Sequence, residues 1–171
     1  MLPGMNKSVP YAALVGTSFV WCLLILAPPY LGLIEGHDGF ASSLLYQFFS
    51  PVCHQFDSHS LHIFGTKLAV CARCFGIYAG FLAGTLIAPF LARKFPVRPL
   101  VLWTAAGLPM LIDVLLDLAG IHESTTGSRL ATGSLFGIIA GVILTPLFLE
   151  AISQFLNRSS ILQGTTDESK T

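Results

Sequence analysis

Three of the chain's four cysteines and three of its five histidines lie within residues 53–74. These metal-ligand side chains are Cys53, Cys71 and Cys74 together with His54, His59 and His62. Thiolates and imidazoles are ligands that Zn²⁺ prefers in proteins, usually as a tetrahedron of four. Cys71 and Cys74 also have the C-x-x-C spacing that lets two sulfurs reach one ion. The stretch therefore predicts a metal centre, with zinc as the favoured metal and iron or an iron–sulfur centre as the alternative.

The expected ligand set consists of three sulfurs and one imidazole nitrogen. Cys53, Cys71 and Cys74 supply the sulfurs, and His54 is the favoured nitrogen ligand. Because His54 directly follows Cys53, ligation by both residues strains the backbone, and His59 or His62 is the alternative ligand. Four protein ligands would make the metal structural, whereas an open position would let it activate water or polarise a substrate.

The composition places this stretch in a membrane protein. The chain is 53% hydrophobic and 11% charged, with nine basic and nine acidic residues and a mean hydropathy of +0.73. Soluble domains carry roughly 25% charged residues. No basic surplus points to nucleic acid, so we expect no nucleic-acid partner.

Four apolar segments are long enough to cross a bilayer, which takes about 20 residues as a helix. They cover about residues 11–33, 67–92, 100–121 and 130–149. The segment 40–49 is apolar but too short to span, so we expect it to lie at the interface. The predicted fold is an all-α four-helix transmembrane bundle with a short interfacial helix in the first extracytoplasmic loop.

The positive charges predict the orientation of these spans. The loop between the second and third spans contains Arg93, Lys94 and Arg98, which makes it cytoplasmic. Residues 1–10 and the polar tail 151–171 then lie on the cytoplasmic side of the membrane domain 11–150. The Cys/His stretch lies outside, and we expect a bacterial plasma membrane.

Ionisable residues of the third and fourth spans converge on the same outer face. We expect Asp113, Asp117, Glu123 and Arg129 to form a polar pocket with a catalytic role beside the metal. A carboxylate at the centre of a membrane helix costs about 2.5–3.5 kcal/mol, so such residues usually serve a function. The alternative is that the aspartates form ion pairs with Arg73 or Arg129. Arg129 would bind Asp117, Glu123 or a phosphate group.

Glycines recur every four residues in the second and fourth spans. They are Gly76, Gly80 and Gly84 in one span and Gly133, Gly137 and Gly141 in the other. Each set is a doubled G-x-x-x-G, which lets helix backbones approach closely. We therefore expect these two spans to pack tightly, and we place them against each other.

These residues carry a resemblance to a known family. CHQ at residues 53–55, CARCFGIYAG at 71–80 and ESTTGSRLATG at 123–133 resemble the DUF2085 family of small membrane proteins. The resemblance covers roughly residues 44–141 and implies the membrane fold and the location of the site. His59 and His122 stand where arginine is usual in the family. No activity comes with the resemblance, so the chemistry stays open.

The favoured function is a multi-pass membrane protein whose metal centre and polar pocket act on a lipid or quinone. A second hypothesis is a membrane thiol–disulfide oxidoreductase that uses Cys71 and Cys74, because a C-x-x-C opening a helix has a lowered thiol pKa. In helix number and in this spacing the chain is similar to the vitamin K epoxide reductases. A third hypothesis is an accessory subunit with a structural metal knuckle, and a fourth is a structural disulfide from Cys53.

Overall fold

The computed structural model describes residues 8–35, 39–91, 99–121 and 124–168 of the chain. Its helices are α1 Ser8–Glu35, α2 Phe40–Phe49, α3 Ala72–Leu91, α4 Pro99–Leu118 and α5 Thr126–Glu168, and its strands are β1 Ser60–Ile63 and β2 Thr66–Cys71. Four helices, α1, α3, α4 and α5, are long and apolar enough to cross a membrane. The predicted four-helix membrane fold is confirmed.

The short helix α2 also forms where the sequence predicts it. Phe40, Leu44 and Phe48 are exposed and recur every four residues, so they share one face. Phe49 is fully buried on the opposite side, against Trp21 of α1. One apolar face toward the surroundings and one toward the protein suit a helix that lies at a membrane interface.

A β-hairpin precedes α3, where the sequence predicts the head of the second span. Residues expected to be helical from about Lys67 form β2, and α3 begins only at Ala72. Phe64 and Gly65 both have positive φ in the two-residue turn between paired Ile63 and Thr66, as type I′ hairpin turns require. The prediction that the second span begins near Lys67 was therefore wrong, because the helix begins only at Ala72.

Helices α3 and α5 are in direct backbone contact, as the glycine pattern predicts. A Cβ added at Gly80 would lie 2.5 Å from the backbone oxygen of Ser134 on α5. A Cβ at Gly137 would likewise collide with the backbone oxygen of Ile77 on α3. The other four glycines of the two motifs meet the facing helix in the same way. Only glycine permits this spacing, and it fixes the register between the two helices.

A proline in α3 creates a hydrogen-bond site for α1. Pro89 has no N–H, so the carbonyl of Thr85 lacks its usual partner within the helix. The Tyr11 hydroxyl of α1 donates to that carbonyl at 3.3 Å. This bond joins α1 to α3 at the end of the bundle opposite the hairpin.

Candidate metal centre

The hairpin and the start of α3 bring the three clustered cysteines together. Cys53 follows α2 and is held by its backbone N–H, which donates to the carbonyl of Phe49 at 3.0 Å. Cys71 is the last residue of β2, and Cys74 lies in the first turn of α3. Their three sulfur atoms all lie within 4.8 Å of one another. We call these three sulfurs the thiol cluster.

The thiol cluster sits in the main buried core of the described structure. That core consists of Ile25, Phe49, Cys53, Leu68, Ala69 and Val70, with Cys71 and Cys74 packed against it. Cys53 is only 6% exposed. Cys71 and Cys74 are partly exposed, so the cluster lies at the edge of this core, where electrostatic interactions are stronger than in bulk water.

Hydrogen bonds favour a negative charge on one of the three sulfurs. Hydrogen bonds from the Cys53 thiol and then from the Cys74 thiol lower the pKa of Cys71, against the opposing effect of burial. Backbone N–H groups of Cys74 and Arg73 add to this effect. The backbone N–H of Cys71 in turn donates to the Cys53 sulfur at 3.2 Å. The cluster therefore stabilises a thiolate, which is the form that binds metals.

The sulfur positions are compatible with one tetrahedral ion. Zinc–sulfur bonds of about 2.3 Å place the sulfurs of a tetrahedral site roughly 3.8 Å apart. The observed upper limit of 4.8 Å needs only a small contraction to reach that spacing. All four cysteines of the chain are free thiols, and the fourth, Cys22, lies buried in α1 outside the cluster.

The structure does not bring His54 to the thiol cluster. Its side chain is exposed and its ring stacks on Phe56, with centroids 5.9 Å apart. The Nε2 of His59 lies 3.2 Å from Arg129 Nη2, and the Nε2 of His62 lies 3.2 Å from Asp57 Oδ1. Among the residues that the structure describes, three sulfurs therefore share the cluster without a histidine.

Two ion pairs occupy the predicted polar pocket. Arg73 of α3 binds Asp113 of α4, and both side chains are largely buried at 15% and 8% exposure. Arg129 Nη2 of α5 lies 2.8 Å from Asp117 Oδ2. Each aspartate thus forms an ion pair with one of the two arginines that the sequence analysis named as alternative partners. Glu123 lies outside the described residues, and a catalytic role for this group stays a prediction.

Further hydrogen bonds hold these ion pairs in position. The Ser128 hydroxyl donates to Asp113 Oδ1 at 3.1 Å, and the backbone N–H of Ser124 donates to Asp117 Oδ1 at 3.0 Å. Arg129 Nε donates to the carbonyl of Ser124 at 3.2 Å. The pairs join α3, α4 and α5 at the end of the bundle that carries the thiol cluster.

A second polar network, which the sequence did not predict, ties α2 to the hairpin. The Tyr46 hydroxyl donates to the carbonyl of Lys67 at 2.6 Å, and the Gln55 side-chain amide donates to the carbonyl of Tyr46 at 2.7 Å. Lys67 Nζ donates to the carbonyl of Gln55 at 3.1 Å. Gln55 also has a positive φ of 53°. The glutamine of the CHQ motif thus closes the loop that carries Cys53. That motif is the sequence signal that could have pointed to this network.

Comparison with known proteins assigns the chain to a family. The family model described as "Predicted membrane protein (DUF2085)" matches residues 53–143, which is more than half of the chain. The chain belongs to the DUF2085 family. The match begins at Cys53 and includes the thiol cluster and both ion pairs. No solved structure matches the chain.

Two archaeal proteins are similar to this DUF2085 protein. An uncharacterised protein of Methanocaldococcus jannaschii is 38% identical over 150 residues, covering 83% of this chain and 95% of that protein. An uncharacterised protein of Methanothermobacter thermautotrophicus is 30% identical over 95 residues, covering 56% of this chain and 86% of that protein. The family and the four apolar helices support an integral membrane location. These relatives lend no support to the bacterial assignment, and the orientation of the termini stays a prediction.

Proposed function

We propose that the chain is a membrane metalloprotein that binds one zinc ion through Cys53, Cys71 and Cys74. The observation that carries this proposal is the distance of 4.8 Å or less between all three sulfurs. Iron is the alternative metal, since thiolates also bind it.

The surroundings of the thiol cluster support metal binding in two ways. Backbone N–H groups of Cys74 and Arg73 lower the pKa of Cys71, and unlike the hydrogen bonds from the Cys53 and Cys74 thiols they remain when a metal displaces the protons of all three sulfurs. The second support is mechanical, because Arg73 lies between Cys71 and Cys74 in sequence and its side chain binds Asp113. The ion pair therefore anchors the first turn of α3, which presents Cys74.

Three protein ligands leave the fourth position of a tetrahedral ion for a different ligand. Catalytic zinc sites usually have this arrangement, whereas structural sites bind four protein ligands. Zinc in such a site supplies Lewis-acid chemistry when bound. The exposed His54, turned toward Phe56, favours the open arrangement over the expected Cys₃His set.

A thiol–disulfide oxidoreductase is the second candidate, because the lowered pKa of Cys71 would also activate it as a nucleophile. In that function the Cys71 thiolate would attack a substrate disulfide, and Cys53 or Cys74 would then displace the second substrate sulfur as a thiol, leaving a disulfide in the protein with no metal bound. The two candidates thus differ in metal content and in the number of free thiols.

The test measures zinc and iron by mass spectrometry in detergent-purified protein and counts free thiols after denaturation. We expect about one zinc per chain and four free thiols. Cys53→Ser, Cys71→Ser and Cys74→Ser should each lose the zinc, whereas Cys22→Ser should retain it. Cys22 is a matched control because it is buried but lies outside the thiol cluster. Absence of metal together with a disulfide among the cluster cysteines would favour the oxidoreductase instead.

A further inference from the structure

The short helix α2 runs beside α1 in the opposite direction. The Ser42 hydroxyl near its start donates to the carbonyl of Pro28 at 3.5 Å, and Phe49 at its end packs on the ring of Trp21 with centroids 5.1 Å apart. From Ser42 to Phe49, and from Pro28 back to Trp21, the separation is seven residues, which is about 10 Å of helix. Equal separations in opposite senses mean that α2 lies antiparallel along α1. It therefore points along the membrane span and not across it.

The contact with Trp21 places the end of α2 within the depth of the bilayer. Helix α1 has 28 residues, of which a hydrocarbon core of about 30 Å holds about 20. Whether that core covers residues 8–27, residues 16–35 or any window between them, Trp21 lies at least about 7 Å inside its edge. Phe48 and Phe49 both touch the Trp21 ring. The last turn of α2 is therefore at hydrocarbon depth.

The face of α2 that points away from the protein is apolar along its whole length. Phe40, Leu44 and Phe48 are 83%, 55% and 54% exposed. No Asp, Glu, Lys or Arg occurs in residues 39–56. Leu24 of α1 lines a groove together with Leu44 and Phe48, so this face continues the apolar surface of a membrane span. The same amphipathic pattern suits a helix at the interface, and it is the register with α1 that determines the depth.

Backbone carbonyls at the end of α2 find their donors within the protein. The carbonyl of Phe49 accepts from the backbone N–H groups of Val52 and Cys53 at 3.1 and 3.0 Å. The carbonyl of Tyr46 accepts from the Gln55 side chain at 2.7 Å. In hydrocarbon no water replaces a missing donor, so a backbone at this depth must be satisfied internally.

Two carbonyls of the returning chain are paired in the same way. The carbonyl of Gln55 accepts from Lys67 Nζ at 3.1 Å, and the carbonyl of Lys67 accepts from the Tyr46 hydroxyl at 2.6 Å. At the membrane surface water would satisfy such groups, whereas here side chains do so. This use of side chains fits a segment that lies below the surface.

The register, the apolar face and the paired carbonyls together describe one kind of membrane element. We propose that α2 and the loop after it form a re-entrant segment, which enters the bilayer near Phe40, turns back after Phe49 and holds its exposed face against lipid acyl chains. The loop returns to the polar end of the bundle, because Phe56 contacts His59, whose Nε2 lies 3.2 Å from Arg129. Two arrangements compete with this one. In the first the helix lies flat in the interface, and in the second another copy of the chain covers the apolar face.

Depth-dependent quenching tests the proposal in the full-length protein. The fluorescent amino acid Anap is introduced at Phe40, Leu44 or Phe48 in separate preparations, which are reconstituted in phosphatidylcholine nanodiscs. The lipid carries bromines either near the carboxyl end or near the middle of its acyl chains. Anap at Phe19, which is 52% exposed on α1, gives the reference for lipid contact within a span. Anap at Asp57, whose side chain is 76% exposed, gives the reference for water.

We expect the depth of the reporter to increase by about 12 Å from Phe40 to Phe48, which are eight residues apart on α2. Bromines near the middle of the chain should quench the reporter at Phe48 as they do at Phe19, and aqueous iodide should quench it at Asp57 but not at Phe48. Equal depths at the three α2 positions would show a flat interfacial helix and overturn the proposal. Strong quenching by lipid bromine at Phe19 with none at Leu44 and Phe48 would place that face against protein or water, and would overturn it as well.

The unmodified protein provides a second test that needs no variant. A phosphatidylcholine with a diazirine in the middle of its acyl chain is photoactivated in the nanodiscs, and the labelled residues are located by mass spectrometry. We expect labels on the last turn of α2 and on α1 around Phe19. Labels around Phe19 without any on residues 40–49 would contradict the re-entrant segment. No metal takes part in these contacts, so absence of zinc from the same preparations would refute the metal centre alone.

Discussion

The Arg73–Asp113 ion pair yields the sharpest prediction about stability. Removing one partner of a buried pair costs about 3–5 kcal/mol, because the other charge is left without compensation. Asp113→Asn should fall near the lower end, since its amide oxygen still accepts a hydrogen bond from Ser128. Asp113→Leu loses both interactions and should approach about 5 kcal/mol.

Two controls separate the ion pair from other effects. Asp117→Asn breaks the second pair and should cost less than Asp113→Asn, because this carboxylate is 30% exposed and Arg129 keeps its hydrogen bond to the carbonyl of Ser124. The double variant Arg73→Met with Asp113→Leu removes both charges and should recover to within roughly 1 kcal/mol of the original stability. The buried Arg73 Nε has no partner in the described structure, so replacing the arginine also removes an unsatisfied donor.

The assay is reversible unfolding in mixed micelles of rising dodecyl sulfate content, followed by far-ultraviolet circular dichroism. A double variant that is as unstable as the sum of its two single variants would show that Arg73 and Asp113 do not act as a pair. Equal costs for Asp113→Asn and Asp117→Asn would show that burial does not set the strength of these pairs.

Three further predictions concern packing, the loop of Cys53 and the thiols. Gly80→Ala should destabilise the protein by about 1–3 kcal/mol in the same assay, because its Cβ meets the backbone of Ser134. Gly16→Ala, with open space around its Cβ, should be neutral or stabilising, and equal effects would contradict the close contact of α3 and α5. Tyr46→Phe should cost about 1 kcal/mol of unfolding free energy through the lost bond to Lys67, and an unchanged stability would show this bond to be dispensable. In metal-free protein the lowered pKa of Cys71 keeps it a thiolate, so its alkylation rate by mass spectrometry should change little between about pH 8 and pH 6. An ordinary thiol slows about 100-fold over that range, and the same decrease at Cys71 would contradict the assignment.

Much of the fold could be predicted because membrane physics constrains it strongly. Apolar length identified the spans, and the four-residue glycine pattern identified the contact between α3 and α5. The hairpin was missed because Leu68, Ala69 and Val70 are all buried and continue directly into the apolar helix. A short apolar run does not distinguish a buried strand from the start of a helix.

The candidate site was predictable in its residue types but not in its geometry. The C-x-x-C spacing placed two thiols together, and Cys53 joins them only because α2 and the hairpin fold around it. Whether His54 turns toward or away from the sulfurs depends on Phe56 and on the loop conformation, which spacing alone does not determine. Because a carboxylate inside a membrane helix is unfavourable, the sequence predicted a partner for Asp113 and left Arg73 and Arg129 as alternatives. Which arginine meets which aspartate depends on how α4 lies against α3 and α5, and the structure pairs Asp113 with Arg73 and Asp117 with Arg129.

X-ray absorption at the zinc edge of the purified protein tests the proposed metal centre most directly. We predict three sulfur ligands at about 2.3 Å and one lighter oxygen or nitrogen ligand. The sulfur signal should be lost in Cys74→Ser and retained in Cys22→Ser. A zinc ion without sulfur ligands, or a preparation that holds no metal while its cluster thiols remain free, would contradict a zinc centre at the thiol cluster.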